Sequence, residues 1–278
     1  MDYLSEIDLE QPDVAAYFDE LPLWSAPFGL FLLEHVPLRG RDTILDVGAG
    51  TGFLSMELAQ RCGPESRVIA VDPWASALDR FRAKLAAHQV SNVEIREGTV
   101  EDVDLPADSV DLIVSNLGIN NFEDPAAALR RCFHVAREGA TILLTTNPIG
   151  HMVEFYEVFH QTLADVGRTD RADALHAQEA HRGTTESIHG LLQDAGFRVT
   201  ATRENSFRLR YASGSALLRH YFIRVGFLGG WKSVLPPEAV EVTFKRLEAN
   251  LNAYAAENGE LALTIPMLCI EGTKGIRE

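Results

Sequence analysis

Residues Ile44–Phe53 read ILDVGAGTGF, a short apolar run broken by one acid and followed by glycines at positions 48, 50 and 52. Ile44, Leu45 and Val47 suit a buried strand, while Gly48, Gly50 and Gly52 remove side chains where a ligand would approach the backbone. From Phe53 the apolar spacing turns helical, so the turn is expected to deliver backbone N–H groups at a helix N-terminus, the usual receptor for a nucleotide-like ligand. A dinucleotide fingerprint, G-x-G-x-x-G counted from Gly48, needs its third glycine at position 53, which is Phe. Asp46, two residues ahead of the first glycine, also opposes a pyrophosphate at the loop mouth and favours an ammonium group.

Outward from this turn, residues 44 to about 146 alternate short apolar runs with helical patterns, the signature of βαβ units on a parallel sheet. The spacing predicts strands at Ile44–Val47, Val68–Asp72, Val93–Glu97, Val110–Ser115 and Thr141–Thr146, with helices at Phe53–Arg61, Ala75–His88 and Pro125–Ala136. Asp124-Pro125 supplies an acid at the N-cap and proline at the first helical position. Ser187–Ala195 reads as a further helix stopped by Gly196, with Phe197–Thr202 as the next strand. Leu261–Ile270 reads as a last strand in which Pro266 predicts a bulge or an edge position.

The stretch Asp46-Val47-Gly48-Ala49-Gly50-Thr51-Gly52 resembles the first motif of class I S-adenosylmethionine-dependent methyltransferases, of the small-molecule, ubiquinone-biosynthesis-like ("type 11") kind. The resemblance implies an α/β, Rossmann-like, doubly wound sheet of seven strands with the last antiparallel. It also implies a methyltransferase domain over 41–278 with helical cap insertions at about 147–186 and 211–258. Residues 1–40 are then an N-terminal helical leader that could close as a lid. The implied cofactor is S-adenosyl-L-methionine, with S-adenosyl-L-homocysteine as product, bound by Asp46, Gly48, Ala49, Gly50 and Gly52. By position Asp72 would hold the ribose hydroxyls or else cap the helix near Ala75, beside Pro73 and Trp74, the latter either covering the adenine or packing in the core. Val100 would meet the adenine edge, with Thr99, Glu101 or Asp102 as acceptor for its amino group, and Asn116 and Leu117 would meet the methionine end.

Methyl transfer from a sulfonium needs alignment and exclusion of water, with a general base only where the accepting atom arrives protonated. Many small-molecule methyltransferases of this type place one or two histidines before an aromatic residue after the fourth strand, whereas this chain has Asn120-Asn121-Phe122. Any base must come from elsewhere; His151, His160, His181 and His220 are candidates, and no catalytic residue is assigned. Cys62, Cys132 and Cys269 show no zinc-ligand spacing and read as buried thiols of a reducing compartment, and no metal is expected.

With 25 Lys and Arg against 40 Asp and Glu, the net charge of -15 disfavours a nucleic-acid partner. The residues after the fourth strand, SNLG, are not the motif that grips a flipped base, and no cysteine sits in a matching nucleophile loop. A small-molecule methyl acceptor is expected, hydrophobic or aromatic if Tyr17, Trp24, Tyr156, Tyr221, Phe222, Phe227 and Trp231 face it, although helix packing accounts for the same residues. The acidic N-terminus does not read as a signal peptide, no stretch is long enough to span a bilayer, and a cytoplasmic location is expected, with a homo-oligomer left open. Two alternatives stand: a catalytically inactive cofactor-binding regulator or scaffold, and a nicotinamide-dependent oxidoreductase, which Asp46 and the glycine spacing disfavour.

Overall fold

The computed structural model describes residues 1–5, 7–20, 22–180 and 182–276. Its helices and strands begin with α1 (Pro12–Glu20), α2 (Ser25–Leu33), β1 (Thr43–Val47), α3 (Phe53–Cys62), β2 (Arg67–Asp72), α4 (Ala75–His88) and β3 (Val93–Glu97). There follow β4 (Val110–Asn116), α5 (Pro125–Val135), β5 (Ala136–Thr146), α6 (Val153–Asp165), α7 (Ala172–Ala180), α8 (Thr185–Ala195) and β6 (Arg198–Tyr211). The remainder is α9 (Gly214–Arg219), α10 (Tyr221–Gly226), α11 (Leu228–Ser233), α12 (Pro237–Asn258) and β7 (Leu261–Thr273).

The seven strands form one sheet in the order β3-β2-β1-β4-β5-β7-β6. From β3 to β5 the neighbours are parallel, and β7 runs antiparallel to β5. The inner strands are buried on both faces, which explains their near-continuous aliphatic sequences. Leu45, Val47, Ile69, Val71, Ile113, Ile142 and Leu144 pack against α5 and α8 through Leu129, Cys132, Ile188 and Leu192. Ala70 faces the other way, into a cluster with Met56, Leu78 and Phe81 of α3 and α4. Helices on both faces make the sheet doubly wound.

Local chemistry fixes the helix ends. The Asp124 carboxylate accepts from the Ala127 N–H ahead of Pro125, and Thr184 forms a reciprocal capping box with Ser187 that starts α8 two residues before the sequence expectation. β5 begins five residues before the expected Thr141. Ala136 pairs with Val110, and the register then jumps to Leu112 opposite Thr141, so Arg137–Gly139 bulges outward with Gly139 at φ 77. Pro266 is not on an edge strand, since β7 lies between β5 and β6; it precedes the β5 register, which starts at Leu268.

The chain divides into two compact units. One holds residues 10–146, 184–205 and 267–278; the other holds residues 1–9, 147–183 and 206–266. The first contains the glycine turn and the parallel strands, together with α1 and α2. The second gathers most of the two expected insertions with the first nine residues. Among the described residues no helix is long and apolar enough to cross a membrane.

Candidate functional site

The three loop glycines stand in left-handed backbone, with φ 80 at Gly48, 53 at Gly50 and 85 at Gly52, but for different reasons. A Cβ at Gly52 would lie 2.1 Å from the buried Phe81 ring, and one at Gly48 would lie 3.0 Å from the Gly118 Cα. Those two glycines serve packing. A Cβ at Gly50 would meet nothing within 4 Å, so only this glycine keeps open space beside the loop. The loop N–H groups are less free than the sequence suggests. Gly48 and Ala49 both donate to the Val71 carbonyl, Gly52 donates to Ala49, and Gly50 donates to the Asp72 carboxylate at 2.7 Å. A loop whose amides are already bonded is a poor phosphate receptor.

Asp46 does not stand at the loop mouth. As a β1 residue opposite Ala70 it faces α3, is 1% exposed, and accepts from the Ser55 hydroxyl at 2.6 Å through Oδ2, while Oδ1 is buried with no protein donor. Burial, reinforced by the nearby charge of Asp72, pushes its carboxyl up to about 7 despite the Ser55 bond. An orphaned carboxylate oxygen suits a cationic group, reached directly or through a water. Asp72 ends β2 and is also buried. Its Oδ1 accepts from the Trp74 N–H at 2.8 Å and its Oδ2 from Gly50, and burial raises its pKa against those two bonds. The carboxylate thus ties the glycine loop to the start of α4, and each oxygen keeps a second lone pair for a ribose hydroxyl. Pro73 is exposed and Trp74 is half-buried.

After β3 the predicted adenine residues separate by burial. Val100 is a core residue at 2% exposure; Thr99 and Glu101 are exposed, and the Thr99 hydroxyl donates to Asp102 at 2.8 Å. At the end of β4, the Asn116 side chain donates to the Ser25 carbonyl at 2.9 Å and accepts from the Thr145 hydroxyl at 2.8 Å, a role beyond local loop capping. Leu117 follows with φ 65, a left-handed conformation that a leucine adopts only at a cost. Gly118 is required there, because a Cβ would stand 2.5 Å from the Ser115 hydroxyl and 2.7 Å from the Val47 carbonyl.

Residues 10–33 converge on these same strand ends, which the sequence did not reveal. The Asp19 carboxylate of α1 pairs with Arg80 at 2.8 Å and with Lys84, both on α4, and is hydrogen-bonded by Thr51 of the glycine loop. Burial raises its pKa, but the bonds from Lys84 and Arg80 outweigh it and leave the carboxyl below its usual range. Phe18 meets the Trp74 ring edge-on at 5.6 Å between centroids, and Ser76 donates to the Glu10 carbonyl. Gly29 of α2 touches Phe53 so closely that a Cβ would lie 2.4 Å from its ring. Asp19, Ser25 and Ser55 had no motif or spacing to mark them.

In the other unit, His151 is 2% exposed beside Tyr156 and Phe227, with Nδ1 lacking a protein partner. Burial, aided by the charge of Arg182, lowers its pKa to about 4, so at pH 7 it is a neutral hydrogen-bonding group and a weak base. His160 pairs with Glu179, His220 is half-buried against the Tyr211 ring, and His181 lies outside the described residues. Among the aromatic candidates, Tyr156, Phe222, Phe227 and Trp231 pack on one another and on Phe155, whereas Tyr17 is 54% exposed.

Residues 44–139 match a family model described as a methyltransferase domain. The chain is 29% identical over 183 residues to the ubiquinone/menaquinone biosynthesis C-methyltransferase UbiE of Proteus mirabilis, an alignment covering 60% of this chain and 70% of that protein. It is 30% identical over 186 residues to the UbiE of Vibrio parahaemolyticus, covering 61% and 70%. The crystal structure of the YcgJ protein of Bacillus subtilis superposes over 91% of this chain and 99% of its own with a TM-score of 0.61 at 16% identity, a likeness of fold.

Proposed function

From the premise that the chain belongs to the class I S-adenosylmethionine-dependent methyltransferases, we propose that its acceptor is a small hydrophobic or aromatic metabolite of the reduced-quinone type. The observation that carries this acceptor class is the similarity to two UbiE proteins, both named for carbon methylation in quinone biosynthesis.

The cofactor is S-adenosyl-L-methionine, which when bound supplies an electrophilic methyl group displaced in line, leaving S-adenosyl-L-homocysteine. The loop fits it: Gly50 leaves room for close approach, and Asp46 offers a buried carboxylate oxygen with no other donor. In our reading Asp46, Gly48, Ala49, Gly50 and Gly52 line the methionine and ribose side, and Asp72 takes the ribose hydroxyls while Pro73 and Trp74 flank them. Thr99, Val100 and Glu101 border the adenine, and Asn116 and Leu117 border the amino-acid end. Residues 10–33, latched through Asp19 and Ser25, act as the lid over this site and keep water from the reacting centre. Asp19→Ala should speed release of S-adenosyl-L-homocysteine; an unchanged dissociation rate would remove the lid role.

The acceptor is tested by incubating the enzyme and methyl-labelled S-adenosyl-L-methionine with reduced prenylated quinones and, in parallel, with hydrophilic amines and RNA. Label on a quinol ring carbon is expected. Label confined to amines or RNA would overturn the acceptor class, and absence of any labelled product across a metabolite extract would favour a purely cofactor-binding role.

A further inference from the structure

We propose that the hairpin of α6 and α7 holds a divalent transition-metal site, with zinc as the fitting ion and His160, His176 and Glu179 as ligands. His176 and Glu179 are three residues apart on α7, which places them on one helix face, and His160 faces them from α6. Each residue offers one ligand atom, and all three atoms lie within 4.8 Å of one another. The Glu179 carboxylate already faces both imidazoles: Oε1 is 2.8 Å from His160 Nε2 and Oε2 is 3.5 Å from His176 Nδ1.

Around a tetrahedral zinc with bonds of about 2.0–2.2 Å, ligand atoms stand about 3.3 Å apart, so small side-chain rotations bring this set into place. The two rings also face each other at 4.3 Å between centroids, tilted by 35°. Two nitrogens and one carboxylate oxygen select zinc, cobalt or nickel over magnesium and calcium, which prefer oxygen alone. His160 and Glu179 are largely covered, while the His176 side chain is 64% exposed, giving the ion a path in and leaving a fourth position for water. The consequence is a clamp between α6 and α7, which only the turn at residues 166–171 otherwise joins along the chain. The sequence shows no such set because its ligands come from two helices and include no cysteine.

The test uses the full, tag-free chain stripped with a chelator. Zinc is titrated calorimetrically, and cobalt is followed by the visible absorption of a four-coordinate ion. One zinc per chain is expected, bound at least about tenfold more tightly than by His176→Ala or Glu179→Gln, with cobalt bands in the unsubstituted protein alone. Zinc should raise the melting temperature of that protein and not of the two variants, while all three bind S-adenosyl-L-homocysteine equally. His176→Cys, which keeps a zinc donor, should retain binding. Zinc affinity equal in the unsubstituted protein and both variants, or displacement of zinc by equimolar magnesium, would overturn the site.

Discussion

Gly50 and Gly52 stand two residues apart in the same loop and should fail in opposite ways when each is changed to alanine. At Gly52 the new Cβ would sit 2.1, 2.2 and 2.4 Å from three Phe81 ring atoms, and Phe81 is fully buried in the cluster with Met56 and Leu78. The left-handed backbone costs alanine about 1–2 kcal/mol, and forced overpacking adds about 1–3 kcal/mol. Gly52→Ala should therefore lose about 2–5 kcal/mol, or roughly 5–15 °C in melting temperature for a chain of this size. At Gly50 the methyl meets nothing within 4 Å, so only the conformational cost of about 1–2 kcal/mol applies, a shift of roughly 2–8 °C. The same methyl would stand where the cofactor approaches, and a loss of tenfold or more in S-adenosyl-L-homocysteine affinity, at least about 1.4 kcal/mol, is expected. Thermal melts paired with calorimetric titration read both quantities. Gly50→Ala binding with the dissociation constant of the unsubstituted protein would refute the argument that this glycine admits the ligand.

Asp46 makes a pH-dependent prediction whose sign follows from its folded pKa of about 7 against an unfolded value of about 3.9. A raised carboxyl disfavours the ionised fold, so its cost grows as pH climbs from about 4 to about 7, at up to about 1.4 kcal/mol per unit. Asp46→Asn should therefore melt higher than the unsubstituted protein at about pH 8 and level with it at about pH 4; a constant difference across that range would remove the linkage. Binding of S-adenosyl-L-homocysteine through the ionised carboxylate should weaken as pH falls below about 7, and the dissociation constant of Asp46→Asn should be weak and flat. Gln89, exposed with φ 55 at the C-terminal end of α4, should gain about 1 kcal/mol as glycine with methyl transfer untouched, seen as a higher melting temperature. Lys274, 7% exposed, donates to the Phe133 and Ala136 carbonyls at 3.0 and 2.7 Å, and Lys274→Met should cost about 2–3 kcal/mol in denaturant unfolding because those carbonyls lose a charged donor.

Strands and helices of the sheet were legible because each is a short apolar run or an amphipathic stretch bounded by its own start or stop signal, as at Asp124-Pro125, which opens α5, and Gly196, which ends α8. Where expectation and structure part, a nonlocal cause is at work. β5 starts early through pairing of Ala136 with Val110, and β6 extends to Tyr211, well past the apolar run, with exposed and half-buried residues alternating along the sheet edge. The glycine turn announced the cofactor, but not that Gly48 and Gly52 answer to Gly118 and Phe81, nor that the Asp46 side chain alternates onto the α3 face instead of the loop mouth. The convergence of Asp19 on Thr51, Arg80 and Lys84 has no signature in a linear sequence, since four solvent-type residues become a cluster only after α1 packs on α4. The aromatic residues of the later segments could not be divided by sequence into ligand-facing and packing ones; the structure stacks Phe155 on Trp231 at 3.9 Å and sets their neighbours around them.

The order in which β6 and β7 are made is not the order in which they sit. β7 follows β6 in the sequence, yet it lies between β5 and β6 in the sheet. During synthesis β6 emerges with no partner, and the far edge of β5 stays unpaired until the chain has passed Leu261. Between Tyr211 and Leu261 the nascent protein thus carries two open strand edges, and both are satisfied by a single late insertion. A chain cut before Leu261 would not lose a fringe of the sheet; it would lose the seam, and β6 would come away with it.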